Sequence, residues 1–337
     1  MNTRARKTPW IGRYPGPAAP AFPGPGPCLW RRRLVLALVL ASSAGICVAQ
    51  FRMRGGRGFW GGDEGPLVRT EGGGWVNEDT VRTARETANH VTETPEWTNA
   101  PGFTRDVFTF TRIIFKSPGR PAVLGWINDY PDSDLNLSYR LQELTSLKVD
   151  PDGRVVKLTD PTLFDYPFIF AAQPGGMELR AEEVRILRHY LLNGGVFMAD
   201  DFWGTRDWEH FAAQMQRVLP ERHWVDLPPD HPLFHAIFDL NGPSNRLQVP
   251  SIHFWRRDRD DADLTAPVSR WRGPGSEQMH VRVWLDDHQR IMILATHNTD
   301  NGDGWEREGE NERYFRDFSE GRAYPLAINI MFYLMTH

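Results

Sequence analysis

Residues 194–204 read GGVFMADDFWG, a four-residue apolar run set between a glycine pair and two adjacent carboxylates. A bounded run of this length reads as a short buried strand. Asp200 and Asp201 therefore sit at its carboxyl end, where open α/β sheets bind their ligands. There the pair can form a reaction centre, or it can cap the helix that follows. Two further runs carry acids near their ends, Asn128-Asp129 and Asp160. In a parallel sheet these side chains would converge with Asp200 and Asp201 above the carboxyl edge. They would make an oxygen-rich site for Mg²⁺ or Ca²⁺, or supply a general base. Asp160 lies in Thr159-Asp160-Pro161, which also fits an ordinary turn.

A second polar constellation, HNTDNGDGWE at 297–306, follows an apolar run. The oxygens of Asn298, Asp300 and Asp303 suit calcium, although the glycine position and the missing terminal glutamate do not fit an EF-hand loop. A hydrogen-bonded turn is the plainer alternative. His297 opens this stretch at a strand end and is expected to face the same edge as Asp201, unless a local backbone group satisfies it. The candidate catalytic residues are thus Asp200, Asp201 and His297, and the candidate ligand-binding residues are Asp129, Asp160, Trp203 and Asp300. HPLFH (231–235) places two histidines four apart, but Pro232 and the lack of an H-E-x-x-H glutamate argue for a buried turn on Leu233 and Phe234. Among 13 tryptophans, Trp75, Trp203, Trp271 and Trp305 stand beside Gly, Asp or Arg and could stack on sugars or fill a core. The phosphate loop, the G-x-S-x-G elbow and the Rossmann glycine fingerprint do not occur.

The elements that must position these residues alternate. DVFTFTRIIF (106–115), AVLGWI (122–127), VVKL (155–158) and YPFIFAA (166–172) read as strands, and LNLSYRLQELT (135–145) has helical spacing. LRAEEVRILRHYLLNGG (179–195) reads as a helix closed by glycine, and RDWEHFAAQMQRVLP (206–220) as a second amphipathic helix. MHVRVWLDD and RIMILATH then suggest an antiparallel pair, and AYPLAINIMFYLMTH a closing helix. The expected fold class is α/β, a mostly parallel sheet with helices on both faces and an antiparallel addition near the C-terminus. The stretch 77–100 is expected to form one exposed helix, and 50–76 a glycine-rich linker.

Composition bounds the partners. Residues 1–50 hold seven basic residues, no acids and both cysteines, which leaves 32 Lys+Arg against 43 Asp+Glu beyond them, a net charge of −11. An acidic body argues against nucleic-acid binding. WRRRLVLALVLASSAGICVAQ has the basic, apolar and small-residue layout of a secretory signal with a cut after Ala49; the alternative is an uncleaved anchor over residues 34–49. Either implies export to the periplasm or beyond, with membrane contact only through the N-terminal segment. Cleavage would leave no cysteine, and so no disulfide or thiolate zinc site. The expected organisation is a signal or anchor over 1–50, a linker and polar segment over 51–100, and one α/β domain over 101–337.

YPFIFAAQ, YLLNGGVFMADDFWG, HPLFH, HNTDNGDGWE and AYPLAINIMFYLMTH together resemble a bacterial family known as domain-of-unknown-function family 4159, over roughly 103–337. The resemblance implies a flavodoxin-like sandwich similar to class I glutamine amidotransferases. Those enzymes carry a nucleophilic cysteine at a strand-to-helix elbow, which by spacing falls at Ala199–Gly204. Asp200 or Asp201 stands there instead, and a carboxylate does not replace a thiolate in amide hydrolysis. Glutaminase chemistry is therefore rejected. The expectation is an exported, non-catalytic binding or assembly module of the cell envelope, contacting an envelope protein or glycan. The alternatives are an envelope hydrolase using the strand-end carboxylates and a carbohydrate-binding module. No cofactor is expected beyond the divalent metal that the acids would admit.

Overall fold

The computed structural model describes residues 66–337 except 92, 104–105, 122–123, 241–246 and 259–271. All of them fall in one compact unit, Trp60–His337. The expected signal, anchor and Pro/Gly lead, and most of the charged run 256–263, lie outside the described residues.

A hairpin of β1 (Leu67–Arg69) and β2 (Trp75–Asn77) comes first. The central sheet then takes β3 (Thr111–Ile114), β4 (Arg154–Lys157), β5 (Phe168–Ala172), β6 (Val196–Phe202), β7 (Trp224–Asp226), β8 (His280–Leu285) and β9 (Ile291–His297). Their spatial order is β4-β3-β5-β6-β9-β8-β7, with the first five parallel and β8 and β7 antiparallel additions at one edge. The helices are α1 (Asp132–Leu144), α2 (Ala181–Leu192), α3 (Gly204–Val218), α4 (Ile252–Asp258), α5 (Asn301–Glu306), α6 (Glu312–Tyr314) and α7 (Tyr324–Thr336). A π-helical stretch, Phe315–Ala323, joins the last two.

Both sheet faces are covered, as β-strands buried on two sides require. On one face Leu187, Tyr190 and Leu191 of α2 and Trp208, Phe211 and Met215 of α3 pack with Phe197, Ala199, Ile293 and Ala295 of the sheet. On the other, Leu137 and Leu141 of α1 and the apolar α7 pack with Phe168, Phe170, Met198 and Leu294. Every residue of β5, β6 and β9 is buried. Their near-continuous apolar runs have no solvent face to mark by alternation.

Three expectations change. The visible part of AVLGWI is a series of turns, closed by Asn128 N–H donating to Gly125 O and Tyr130 N–H to Ile127 O. Trp126 and Ile127 are buried there without a strand, because a short apolar run serves a buried turn as well as a buried strand. The stretch 77–100 has one 3₁₀ turn, Ala84–Glu86, in place of a helix; its thin apolar face gave a helix little to bury. The last part of the expected linker is the β1–β2 hairpin, whose Val68 and Val76 enter the core. Among the described residues no helix is long and apolar enough to cross a membrane.

Candidate functional site: a buried acidic cluster at the carboxyl edge

The strand-end acids are held by the fold in different ways. Asp200 is the fifth residue of β6 and fully buried. Its Oδ1 accepts from Thr296 Oγ1 and, at 2.8 Å, from Asn301 Nδ2, while Oδ2 accepts from Gly302 N–H at 2.9 Å. It thereby anchors the first turn of α5. The helix expected to be capped, α3, has no side-chain cap; its Gly204 N–H donates to Asn298 Oδ1 at 2.8 Å. Burial, with Asp201 beside it, pushes the Asp200 carboxyl up to about 7 against the pull of those hydrogen bonds.

Asp201 turns the other way. Its Oδ1 accepts from Trp203 Nε1 at 2.7 Å, and its Oδ2 from Gln173 Nε2 at 2.7 Å and Asn128 Nδ2 at 3.1 Å. Arg272 Nη1 stands 3.6 Å from Oδ1, with its guanidinium stacked over the rings of Trp203 and Phe254, each 4.6 Å away. Trp203 is buried and takes its place as an Asp201 donor and a platform for this arginine.

The sequence-predicted loop acids meet one more. Asp129, Asp300 and Asp303 are 1–3% exposed, and each offers a carboxylate oxygen within 4.8 Å of those of the other two. Asp129 arrives from the turn before α1, Asp300 and Asp303 from the start of α5. Asp300 Oδ1 caps that helix through Asp303 N–H at 3.0 Å, and Oδ2 lies 3.4 Å from Arg272 Nη2. Asp303 Oδ2 accepts from Ile252 N–H at 2.8 Å, and Oδ1 faces Arg307 Nε at 3.3 Å. Asp129 Oδ1 accepts from Asn128 Nδ2, but Oδ2 has no hydrogen-bond partner. That oxygen lies over Gly302, where any side chain would collide with it. Burial, compounded by neighbouring acids, raises the carboxyls of Asp129 and Asp300 well above the usual range. Burial would also raise Asp303, but Arg307, the Ile252 N–H and Ser251 outweigh it and hold its carboxyl low.

Four of the five non-glycine residues with positive φ among the described residues lie here: Asp129 (61°), Gln173 (49°), Asp201 (54°) and Asn298 (61°). Asp and Asn tolerate this left-handed region better than most, yet each still carries a conformational cost. Such strain collects where the surrounding structure over-determines a geometry, and functional sites are frequent places for it.

Two predicted residues are elsewhere. His297 projects to the α3 face between Phe202 and Trp208, its ring centroids 5.1 and 5.4 Å from theirs. Nε2 donates to Gly204 O at 3.1 Å and Nδ1 accepts from Arg282 Nη1 at 3.1 Å; burial and then Arg282 depress it to about 3. It is a neutral core histidine that does not meet the acids. Asp160 caps the 3₁₀ turn Pro161–Asp165 through Thr162 N–H, on the far-edge side of β4. As a strand-end acid it was expected to converge with Asp200 and Asp201, but the sheet order sets β4 outermost, and the turn alternative holds. Trp305 is buried, whereas Trp75 is 63% exposed. Trp271 lies outside the described residues.

Residues not foreseen complete the site. Arg272 and Arg307 are its cations, Gln173 joins the already named Asn128 to supply its amides, and the hairpin closes it from outside. Glu71 pairs with Arg307 at 2.5 Å, and His90 Nδ1 lies 3.1 Å from the buried Glu306. A lone arginine in a connecting loop carries no sequence signal of such a role.

The family model for Domain of unknown function (DUF4159) matches residues 120–335, more than half of the chain. The chain belongs to that family. No curated protein matches it. The DUF4159 match takes in Asp129, Asp200, Asp201, Arg272, Asp300 and Asp303, but stops short of the β1–β2 hairpin and His90 that cover them.

Proposed function

We propose that this DUF4159 protein is an exported, non-catalytic binding or assembly module of the bacterial cell envelope. The observation that carries the reading is the engagement of the expected catalytic groups. Every oxygen of Asp200 and Asp201 accepts hydrogen bonds from the fold, and both nitrogens of His297 are used on the opposite face. A general base must reach a substrate proton, and both carboxylates are buried and held by donors of the fold. Export rests on the basic, apolar and small-residue order of residues 31–49, and an envelope protein or glycan is the partner that location offers.

The finer fold is part of the same proposal. In order of appearance the parallel strands lie 2-1-3-4-5, the flavodoxin-like arrangement. By the spacing of the resemblance, Asp200 or Asp201 stands at the approximate position of the amidotransferase cysteine, and Asp201 has the positive φ of a tight turn shortly before α3. Its backbone favours an elbow derived from that fold with the nucleophile replaced.

The experiment is to incubate the full chain with isolated envelopes and with chromogenic esters, phosphoesters and glycosides. Saturable retention on the envelope without turnover is expected. Turnover that Asp201→Asn removes, with the folded-state spectrum unchanged, would establish the hydrolase instead.

A further inference from the structure

Among the described residues, the buried acids of the carboxyl edge outnumber the arginines paired with them. Asp129, Asp201, Asp300, Asp303 and Glu306 are all buried; against them stand Arg272 and Arg307. Arg307 is shared further with Glu71 and Glu310. An uncompensated buried carboxylate costs several kcal/mol, so the site calls for added positive charge. A shared proton can supply part of it, and so can a metal ion.

The geometry points to a hard divalent cation site made by Asp129, Asp300 and Asp303. The first observation is the spacing. Oxygens on opposite sides of a calcium ion are about 4.6–5.2 Å apart, twice the usual Ca–O distance. The three carboxylates fit within that span at 4.8 Å or less. The second is independent of the cluster's acidity. Asp129 Oδ2 is buried with no donor, and Asn301 Oδ1, in the same first turn of α5, is also buried without one. Buried polar atoms in native folds nearly always have a partner, so the unpartnered Asp129 Oδ2, itself a member of the cluster, points to a ligand there. Gly302 allows the approach, since any side chain there would displace the Asp129 carboxylate.

The ligand chemistry is specific. Every candidate donor is an oxygen, which suits Ca²⁺, Mg²⁺ or Mn²⁺ and offers Zn²⁺ neither the nitrogen nor the sulfur it favours. The chain binds the cation in this reading whether or not it also binds an envelope partner. Arg272 stands beside the site as a tethered competitor, 3.4 Å from Asp300, so its charge weakens cation binding.

Calorimetric titration of the chelator-stripped full chain with Ca²⁺, Mg²⁺ and Mn²⁺ tests this, with Zn²⁺ as the contrast and melting temperature as a second reading. One cation per chain is expected. Asp129→Asn should weaken it at least about tenfold and shrink the rise in melting temperature that the cation gives. Arg272→Gln should tighten it. No binding of any of the three ions, or binding that neither substitution changes, would overturn the site. If Asp129→Asn fails to fold, the Arg272→Gln titration still decides: tightening supports the site and unchanged affinity refutes it. Envelope retention and turnover are not read in this experiment, so its failure leaves the binding-module proposal standing.

Discussion

Asp200 and Asp201 are neighbours with opposite tasks. Strand alternation sends Asp200 to the α1 and α5 side, where three donors hold it, and the local bulge turns Asp201 to Gln173, Asn128 and Trp203. Asp200→Ala removes the acceptor of Gly302 N–H, Asn301 and Thr296 together, and leaves them buried. The expected loss is about 2–4 kcal/mol of unfolding free energy in urea denaturation. The titrations of Asp200 and His297 act in opposite directions. Asp200 keeps its proton in the fold up to about 7 but ionises from 3.8 when unfolded, so its contribution falls as pH rises across that window. His297 stays neutral in the fold down to about 3, whereas the unfolded chain takes up a proton below 6.5, so its contribution falls as pH drops across that window. Stability measured from pH 3 to 8 for wild type, Asp200→Asn and His297→Gln separates them. The advantage of wild type over Asp200→Asn should shrink toward pH 7, and its advantage over His297→Gln should shrink toward pH 3. Parallel curves would contradict both assignments.

At the scale of elements, α5 is the unusual piece. NGDGWE holds two glycines in six residues, a poor helix former by propensity, and every one of its residues is buried. It is helical because Asp200 and Asp300 anchor its first turn and Asn136 Nδ2 donates to Trp305 O at 2.9 Å. Gly302 and Gly304 let Asp129 and Ala323 approach it closely. Gly302→Ala should therefore cost more than the about 1 kcal/mol that helix propensity would return. Net destabilisation in thermal melts is the expected outcome, and stabilisation would show that Asp129 does not depend on this approach. The sequence made the strands and helices from 166 to 220, from 279 to 297 and from 324 to 336 legible, because their runs and spacings were long enough to distinguish. It did not reveal α5, since the polar, glycine-rich HNTDNGDGWE gives no periodic signal, nor the turn that delivers Asp129. The convergence of Asp129 with the acids of 297–306 depended on sheet order, and the same order left Asp160 at the edge. His297 was misplaced because the direction of its side chain follows from register against β6 and β8.

At the scale of the molecule, the residues before the family match are part of the folded unit. Val68, Val76, Val81 and Ala84 enter the core, and Glu71 and His90 close over Arg307 and Glu306. Asp132 accepts from His90 N–H at 2.8 Å and Val91 N–H at 3.1 Å, which ties this arm to the start of α1. A fragment beginning at residue 101 loses all of these. It should melt lower than one beginning at residue 60 and be cut faster near residues 300–310 in limited proteolysis; equal melting temperatures would show the arm to be dispensable. The covered acidic cluster is the feature that unites arm, sheet edge and α5. Anomalous diffraction from crystals of the full chain grown or soaked with Mn²⁺ reads it most directly. A single anomalous peak within coordination distance of Asp129, Asp300 and Asp303 is predicted, and its absence in Asp129→Asn crystals. Crystals saturated with Mn²⁺ that show no peak among these three carboxylates would contradict the account.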